Sequence, residues 1–501
     1  MGAALRQQIE EGRAAAAGLL RGERLGIGGV RRPVLPLSWL ALDSEIRRGH
    51  APWQPGPRAA DRIEVRLCHP DGRIREAALH APRPPLPLVA IRCADWVPAV
   101  RERARQVLAE ALAADPARTL VELTPLVLRL ARRERGAWAR DLFAAALHAE
   151  DPVVAPWWRP ARPKSWWRPA RPAITMTGEE PDTVLAWLRG SGDLPTRRFA
   201  ARVTLDAGLF GVRELARRAG AERDPATADL WTKAAMAALA ADGPDDEAVD
   251  TLVRGHLPLV RAAGVTALRR AGRAAEAADH LADRSGPVRA CARWLVRQDG
   301  GDPYAAYRTL IADPDRVTPY AVAGFAECAR REDAPLLRAL LAHPAGAVRA
   351  AAVAGLRVLD ATDVDVLRPL LEDPSPAVAR EASLSLAPYA ERLPADRLRD
   401  LMAPGRPPHT RRAAYRVLHA RGGVAGLRAS VELLTDSDPA LRRVAAQRVQ
   451  SLWSPARPPA LPLRDPEVGA LLDRCTGLFS DYVMARLRSR LGIPPSKSGQ
   501  T

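Results

Sequence analysis

A segment of about 30 residues keeps returning along this chain, and that recurrence constrains its fold more than any other feature. Leu341-Ala342-His343-Pro344-Ala345-Gly346-Ala347-Val348-Arg349-Ala350 returns as Leu371-Glu372-Asp373-Pro374-Ser375-Pro376-Ala377-Val378-Ala379-Arg380. It returns again as Thr435-Asp436-Ser437-Asp438-Pro439-Ala440-Leu441-Arg442-Arg443-Val444. With the Arg position of the Val-Arg pair as anchor, the series runs through 197, 232, 261, 289, 320, 349, 379, 411 and 442, with spacings of 28 to 35 residues. A fixed period of this length marks an array in which no unit can bury its apolar face alone and stacking neighbours supply the core.

Each unit reads as two helices. Val364–Leu371 is leucine-rich and predicts the first. Asp373-Pro374 then offers a side-chain cap and a proline at a first-turn position, where its missing N–H costs nothing. Val348, Ala351, Ala352 and Leu356 fall on one face of the second helix. Abundant Ala lets neighbouring helices approach closely.

On these motifs the chain resembles the HEAT-repeat α-solenoids. The resemblance implies a turn Asp and an Arg six residues later that pair along the stack, a spacing kept at Asp95/Arg101, Asp283/Arg289 and Asp436/Arg442. Arg261, Arg349 and Arg411 take the same position in other units, whereas Tyr320 and Ala379 occupy it in two. His343, Gly255 and Gly405 replace the turn Asp, so a weaker ladder is expected in those units. The array extends toward the N-terminus through Asp95–Ala104 and Leu67–Ala78. Ile63, Val65 and Leu67 alternate before Pro70-Asp71-Gly72 and would also suit a β-hairpin. Helix is the preferred reading, because His69-Pro70-x-Gly72-x-Ile74-Arg75 reproduces His343-Pro344-x-Gly346-x-Val348-Arg349. Residues 117–149 read as two helices. The expected fold is therefore an all-α solenoid of about 11–13 HEAT-like helical hairpins. The expected organisation is an N-terminal segment with a helical lead-in and a Pro/Gly-rich loop (1–60), irregular repeats (61–150), an insert (151–175), a regular array (176–455), and capping helices with a disordered tail (456–501).

The insert is Trp157-Trp158-Arg159-Pro160-Ala161-Arg162-Pro163-Lys164-Ser165, repeated at once as Trp166-Trp167-Arg168-Pro169-Ala170-Arg171-Pro172. Its prolines forbid a helix. Arg and Trp interleaved on an extended backbone suit stacked bases and phosphates, a membrane surface or a proline-recognition domain, which makes these Trp, Arg and Lys residues candidate binding groups. A tandem duplication in a tolerant loop explains the same repeat without any function.

Charge refines the picture. The net +17 divides as +5 over 1–90, +2 over 91–150, +4 over 151–175, −3 over 176–400 and +9 over 401–501. All but three of the basic residues (Lys164, Lys233 and Lys497) are Arg, and Asn is absent, a skew expected of a GC-rich bacterial genome. The five scattered cysteines suit neither a disulfide framework nor a Cys-type zinc site. The N-terminus lacks the apolar core of a signal peptide. No apolar run approaches the ~20 residues of a membrane helix. A cytoplasmic location is the expectation.

Catalytic signatures are missing from the sequence. There is no phosphate-binding loop, no His-Glu-x-x-His and no Gly-x-Ser-x-Gly, and neither a metal nor a cofactor is expected. His69 and His343 stand at equivalent repeat positions and read as turn caps. Cys291 and Cys328 read as core residues, and Trp187, Trp231 and Trp294 as packing residues. Phe479, Val483, Leu487 and Leu491 form the apolar stripe of a basic C-terminal helix, with Arg486, Arg488 and Arg490 directed elsewhere. The resemblance implies a non-enzymatic scaffold that binds a protein partner along its inner surface. The alternative is nucleic-acid binding through the basic ends. Its enzymatic form resembles the HEAT-like alkylpurine DNA glycosylases, whose basic groove should fall on the central repeats, where this chain is slightly acidic. The bilin-handling lyase-associated repeats share only the repeat itself.

Overall fold

The computed structural model describes residues 2–26, 29–48, 57–148, 180–313, 315–454 and 460–494. Among them the backbone is helical apart from connecting turns and one isolated bridge between Leu25 and Val30. The fold is all-α and built from consecutive helix pairs, as the period requires. The chain forms two compact units, residues 1–263 and 264–501.

In the first unit Gly2–Leu20 packs against Pro36–Arg48. The pairs that follow include Leu86–Arg92 with Pro98–Ala114, Pro116–Leu130 with Ala137–Leu147, and Val212–Ala221 with Pro225–Ala241. Ile63–Leu67 and Gly72–Ala78 are helices, so the region whose alternation also suited a hairpin follows the repeat template instead. One continuous core runs from Ala15, Leu19 and Leu42 through Leu88, Leu108 and Leu123 to Leu185 and Val203.

The second unit is more regular. Pro319–Ala326, Gly346–Val358, Pro376–Leu386 and Pro408–Ala420 are second helices, and each packs on the next. The first helices are short and often end in a tight 3-10 turn, as Val364–Leu367 does before Arg368–Glu372. A separate cluster of Leu427, Val449, Val468, Leu472, Leu487 and Leu491 closes the C-terminal end.

Local chemistry sets the boundaries. Asp115, Asp224, Asp302, Asp438 and Asp465 each accept a backbone N–H of the first turn while Pro occupies the first helical position. At 373–376 the helix begins two residues later than the Asp373-Pro374 pair suggests. Helix Pro376–Leu386 starts after Ser375, and Asp373 lies in the preceding turn, where its Oδ1 accepts the Ser375 N–H at 2.8 Å. The second proline, not the first, therefore begins the helix.

Small residues permit the stacking. A Cβ at Gly324 would lie 2.3–2.5 Å from the Tyr307 ring atoms, and Tyr307 is buried with its hydroxyl donating to the Leu281 carbonyl at 2.6 Å. Gly324→Ala gains about 1 kcal/mol of helix propensity but must displace a packed aromatic ring, at about 1–3 kcal/mol or more. We expect urea denaturation to report net destabilisation of Gly324→Ala. Gly405→Ala, where a Cβ meets nothing within 4 Å, should change stability by less than about 0.5 kcal/mol.

Candidate functional site

The repeat turn is built around one arginine. Arg75 donates Nη1 to the carbonyls of His69 (2.8 Å) and Pro70 (2.7 Å) in its own turn. Its Nε and Nη2 reach across to Asp95 in the next repeat, at 3.0 and 2.8 Å. Arg349 does the same with His343 (2.9 Å), Pro344 (3.0 Å) and the Asp373 carboxylate (3.0 and 2.7 Å). Arg101, Arg261, Arg289 and Arg442 likewise hold the carbonyls of Asp95, Gly255, Asp283 and Asp436. The six-residue Asp/Arg spacing is therefore a contact between guanidinium and main chain. The Asp carboxylate faces backward instead. Arg411 takes that of Asp436, with Nη1 at 3.2 Å, and also donates Nε to the Met402 carbonyl at 2.8 Å.

The carboxylate has a second duty, accepting the N–H two residues on. Val97 donates to Asp95 (3.0 Å) and Asp438 to Asp436 (2.8 Å). Where His replaces Asp, the ring Nδ1 accepts instead: Asp71 N–H to His69 at 2.9 Å, Ala345 N–H to His343 at 3.1 Å. Burial lowers the His69 pKa, which suits a neutral acceptor.

Irregular units find substitutes. Arg289 binds Glu327, which sits at the end of helix Pro319–Ala326 and also holds Arg293. In the first unit Arg198, one position past the anchor, grips Asp224 at 2.9 and 2.7 Å, while Arg197 comes no closer than 3.8 Å to Glu222. The densest junction surrounds Asp95. Arg75 and Arg92 converge on it from inside, and Arg47 lies 3.4 Å away. Arg92 also binds Asp43, and the Trp96 ring lies 4.7 Å from Arg75 and 4.8 Å from Arg47. Burial, then the adjacent Asp43 carboxylate, pushes the Cys68 thiol well above its usual pKa, so it packs as a neutral group.

A different surface lies on the second helices of the second unit. Gly346–Val358, Pro408–Ala420 and Pro439–Gln450 contain no Asp or Glu. Arg380, Arg416 and Arg448 stand on three successive second helices. Burial first, then repulsion from Arg380 and Arg448, lowers the Arg416 pKa. Arg416 donates to Ser383 Oγ, and Arg412 pairs with Asp438 at 3.1 Å. Pro408–Ala420 and Pro439–Gln450 approach each other less closely than the earlier second helices do. Both instead pack on Gly423–Glu432, and a slot of about 110 Å³ remains between them. Tyr415, Leu441 and Val444 form its apolar wall; Arg412, Arg416, His419 and Arg448 rim it. Tyr415 is buried, shares a hydrogen bond with Ser430 at 2.9 Å and lies 5.8 Å from the His419 ring, tilted by 46°. Burial, then Arg448, lowers the His419 pKa.

Other residues singled out in the sequence fall elsewhere. Trp157, Trp158, Arg159, Arg162, Lys164, Trp166, Trp167, Arg168 and Arg171 lie outside the described residues. Trp231 is buried, but Trp187 (57 % exposed) and Trp294 (39 %) are surface residues, because their helical phase turns them away from the neighbouring helix. Cys291 and Cys328 are only half-buried. Arg488 points inward, binding Asp473 (2.6 Å) and the Gly469 carbonyl (3.3 Å), and Phe479 precedes helix Asp481–Leu491. Among the described residues no His/Cys/Asp/Glu group has a metal-holding arrangement, and no helix is long and apolar enough to cross a membrane.

No protein-family model matches the chain, and no curated protein matches it. Among solved structures it is similar to importin beta, crystallised in an ammonium sulfate condition, at 14 % identity and a TM-score of 0.29. The similarity covers 91 % of this chain and 64 % of importin beta, so the chain spans less than two thirds of that protein's length.

Two outcomes follow from the ladder. Asp95→Ala leaves the buried Arg75 without a carboxylate and Arg92 with Asp43 alone, and should cost about 3–5 kcal/mol; Asp373→Ala, where the partner Arg349 reaches solvent, should cost about 1.5–3 kcal/mol. Chemical denaturation of the two variants checks the order. The pH dependence has a definite sign. Arg198 holds Asp224 well below the usual carboxylate range; for Asp436 burial acts upward, but its hydrogen bonds and ion pair with Arg411 leave it lowered. Depressed folded-state values give stability that is full above the unfolded carboxylate pKa of about 4 and is lost as pH falls through the folded values. Denaturation midpoints should therefore hold from pH 7 to about 5 and fall steadily below about 4.

Proposed function

We propose that this chain is a non-enzymatic HEAT-like scaffold that binds a protein partner through the exposed face of its second helices. The observation that carries the reading is the basic series on the second unit. Helices Gly346–Val358, Pro408–Ala420 and Pro439–Gln450 present Arg without a single acidic residue, on a frame whose spacing is set by the turn arginines. A rigid frame that repeats side chains at regular intervals makes many modest contacts without ordering cost at each one, which suits an extended partner.

Site-specific photo-crosslinking tests this. A photoreactive residue at Arg380, Arg412 or Arg443, on the second helices, should capture a discrete protein from the native host. The same residue at Glu332 or Arg397, on the turns and first helices, should capture little. Equal capture at both sets overturns the reading. Nucleic-acid binding would instead appear as affinity for duplex DNA that falls steeply with salt, with a log–log slope of several units.

A further inference from the structure

We infer that the slot between helices Pro408–Ala420 and Pro439–Gln450 receives a single aliphatic side chain of an acidic peptide segment, with the surrounding arginines holding the flanking carboxylates. The inference deepens the scaffold reading and rests on it. It names the chemistry of the partner.

Earlier second helices meet through small residues: Gly355 leaves no room for a Cβ, which would sit 2.9 Å from Leu337 Cδ1 and 3.1 Å from the Ala326 methyl. At the junction after Ala420 both helices pack on Gly423–Glu432, and the positions that face each other carry Arg412, Tyr415, Arg416, Val444 and Arg448, larger residues that line the slot. The resulting gap has apolar walls, and Val444 is 40 % exposed to solvent within it. At about 110 Å³ it falls well below the ~300–1,000 Å³ of sites for drug-sized ligands or cofactors. One side chain fits that scale.

Charge selects what surrounds the side chain. Two acids lie close by, Asp438, engaged by Arg412, and Glu381, engaged by Arg357 and Arg380. Arg448 and Arg443 have no ion pair among the described residues, and Arg416 feels repulsion from Arg380 and Arg448 that Glu381 only partly offsets. An incoming carboxylate would relieve that repulsion, which is charge complementarity of the kind that steers association. A peptide is favoured over a nucleic acid by the aromatic group. Single-stranded binders stack bases on open ring faces, whereas the Tyr415 ring is buried against His419 and fixed through Ser430.

The test uses the full chain and fluorescence anisotropy at low salt. The probe is a labelled twelve-residue peptide of Glu, Ser and Gly with one central Leu; the comparison peptide carries Ser in place of Leu. Saturable binding of the Leu peptide is expected, with the Ser peptide about tenfold weaker, the loss of one buried aliphatic side chain. Arg448→Glu should weaken both peptides about tenfold or more. Val444→Glu should erase the difference between them. Both positions are exposed, and unchanged melting of each variant excludes misfolding. The peptide comparison needs no protein variant at all.

Equal binding of the two peptides, or no saturable binding of either, overturns the inference. So does tighter binding of a twelve-nucleotide single-stranded DNA that Val444→Glu leaves unchanged, which would make the face a nucleic-acid surface. Persistent protein capture at Arg380 and Arg412 alongside a failed peptide comparison would refute the slot and leave the scaffold standing. Loss of that capture would refute the scaffold itself.

Discussion

The structure depends on a guanidinium group with two jobs. One edge of the arginine closes the turn of its own repeat by satisfying main-chain carbonyls of the turn. The other edge reaches the carboxylate at the same turn of the next repeat. Arg75 and Arg349 do both with nearly the same distances, although they belong to different units. A lysine could not replace them, because the planar fork is what serves two directions at once. Local turn closure and contact with the neighbour are thus made by a single side chain, which gives a one-dimensional array its coupling.

That arrangement explains the tolerance of the array to irregular units. Where the turn Asp is missing, the need for a counter-charge is met from wherever the helix geometry allows, as Glu327 does for Arg289. Where the slot Arg is missing, at Ala379, the neighbouring turn is held by other contacts: Arg406 to Glu372 at 3.0 Å and His409 Nε2 with the Asp373 carbonyl at 3.1 Å. With the turns carrying the charged contacts between repeats and the inner faces carrying the packing, the second helices are free to vary on their exposed face. The basic slot lies there.

The sequence made the period, the helix pairs and the six-residue spacing legible, because each depends on residues close in the chain. The identity His69/His343 even pointed to the shared turn-capping role. What stayed hidden needs a neighbour's position. The spacing of Asp95 and Arg101 says nothing about whether carbonyl or carboxylate is engaged, and only Arg75, twenty residues upstream, decides it. Trp187 and Trp294 lie off the phase of the buried Leu188 and Leu295 on their own helices and face solvent. Arg488 reads as a surface charge from its own helix alone, and only the position of Asp473 and Gly469 turns it inward. The slot beside Tyr415 was equally invisible, since it arises from bulky residues on two helices that the chain separates by a third. The net +9 of the last 101 residues was visible in the sequence, but its concentration on acid-free second helices was not.

Native-state hydrogen exchange of the full-length Asp373→Ala variant tests the coupling by turn arginines most directly. Breaking this one rung should lower protection in both Gly346–Val358 and Pro376–Leu386, on either side of it, while Pro439–Gln450 keeps its wild-type protection. Loss confined to the turn at 373, with both flanking helices unchanged, would contradict the account: the arginines would then be closing turns without joining repeats.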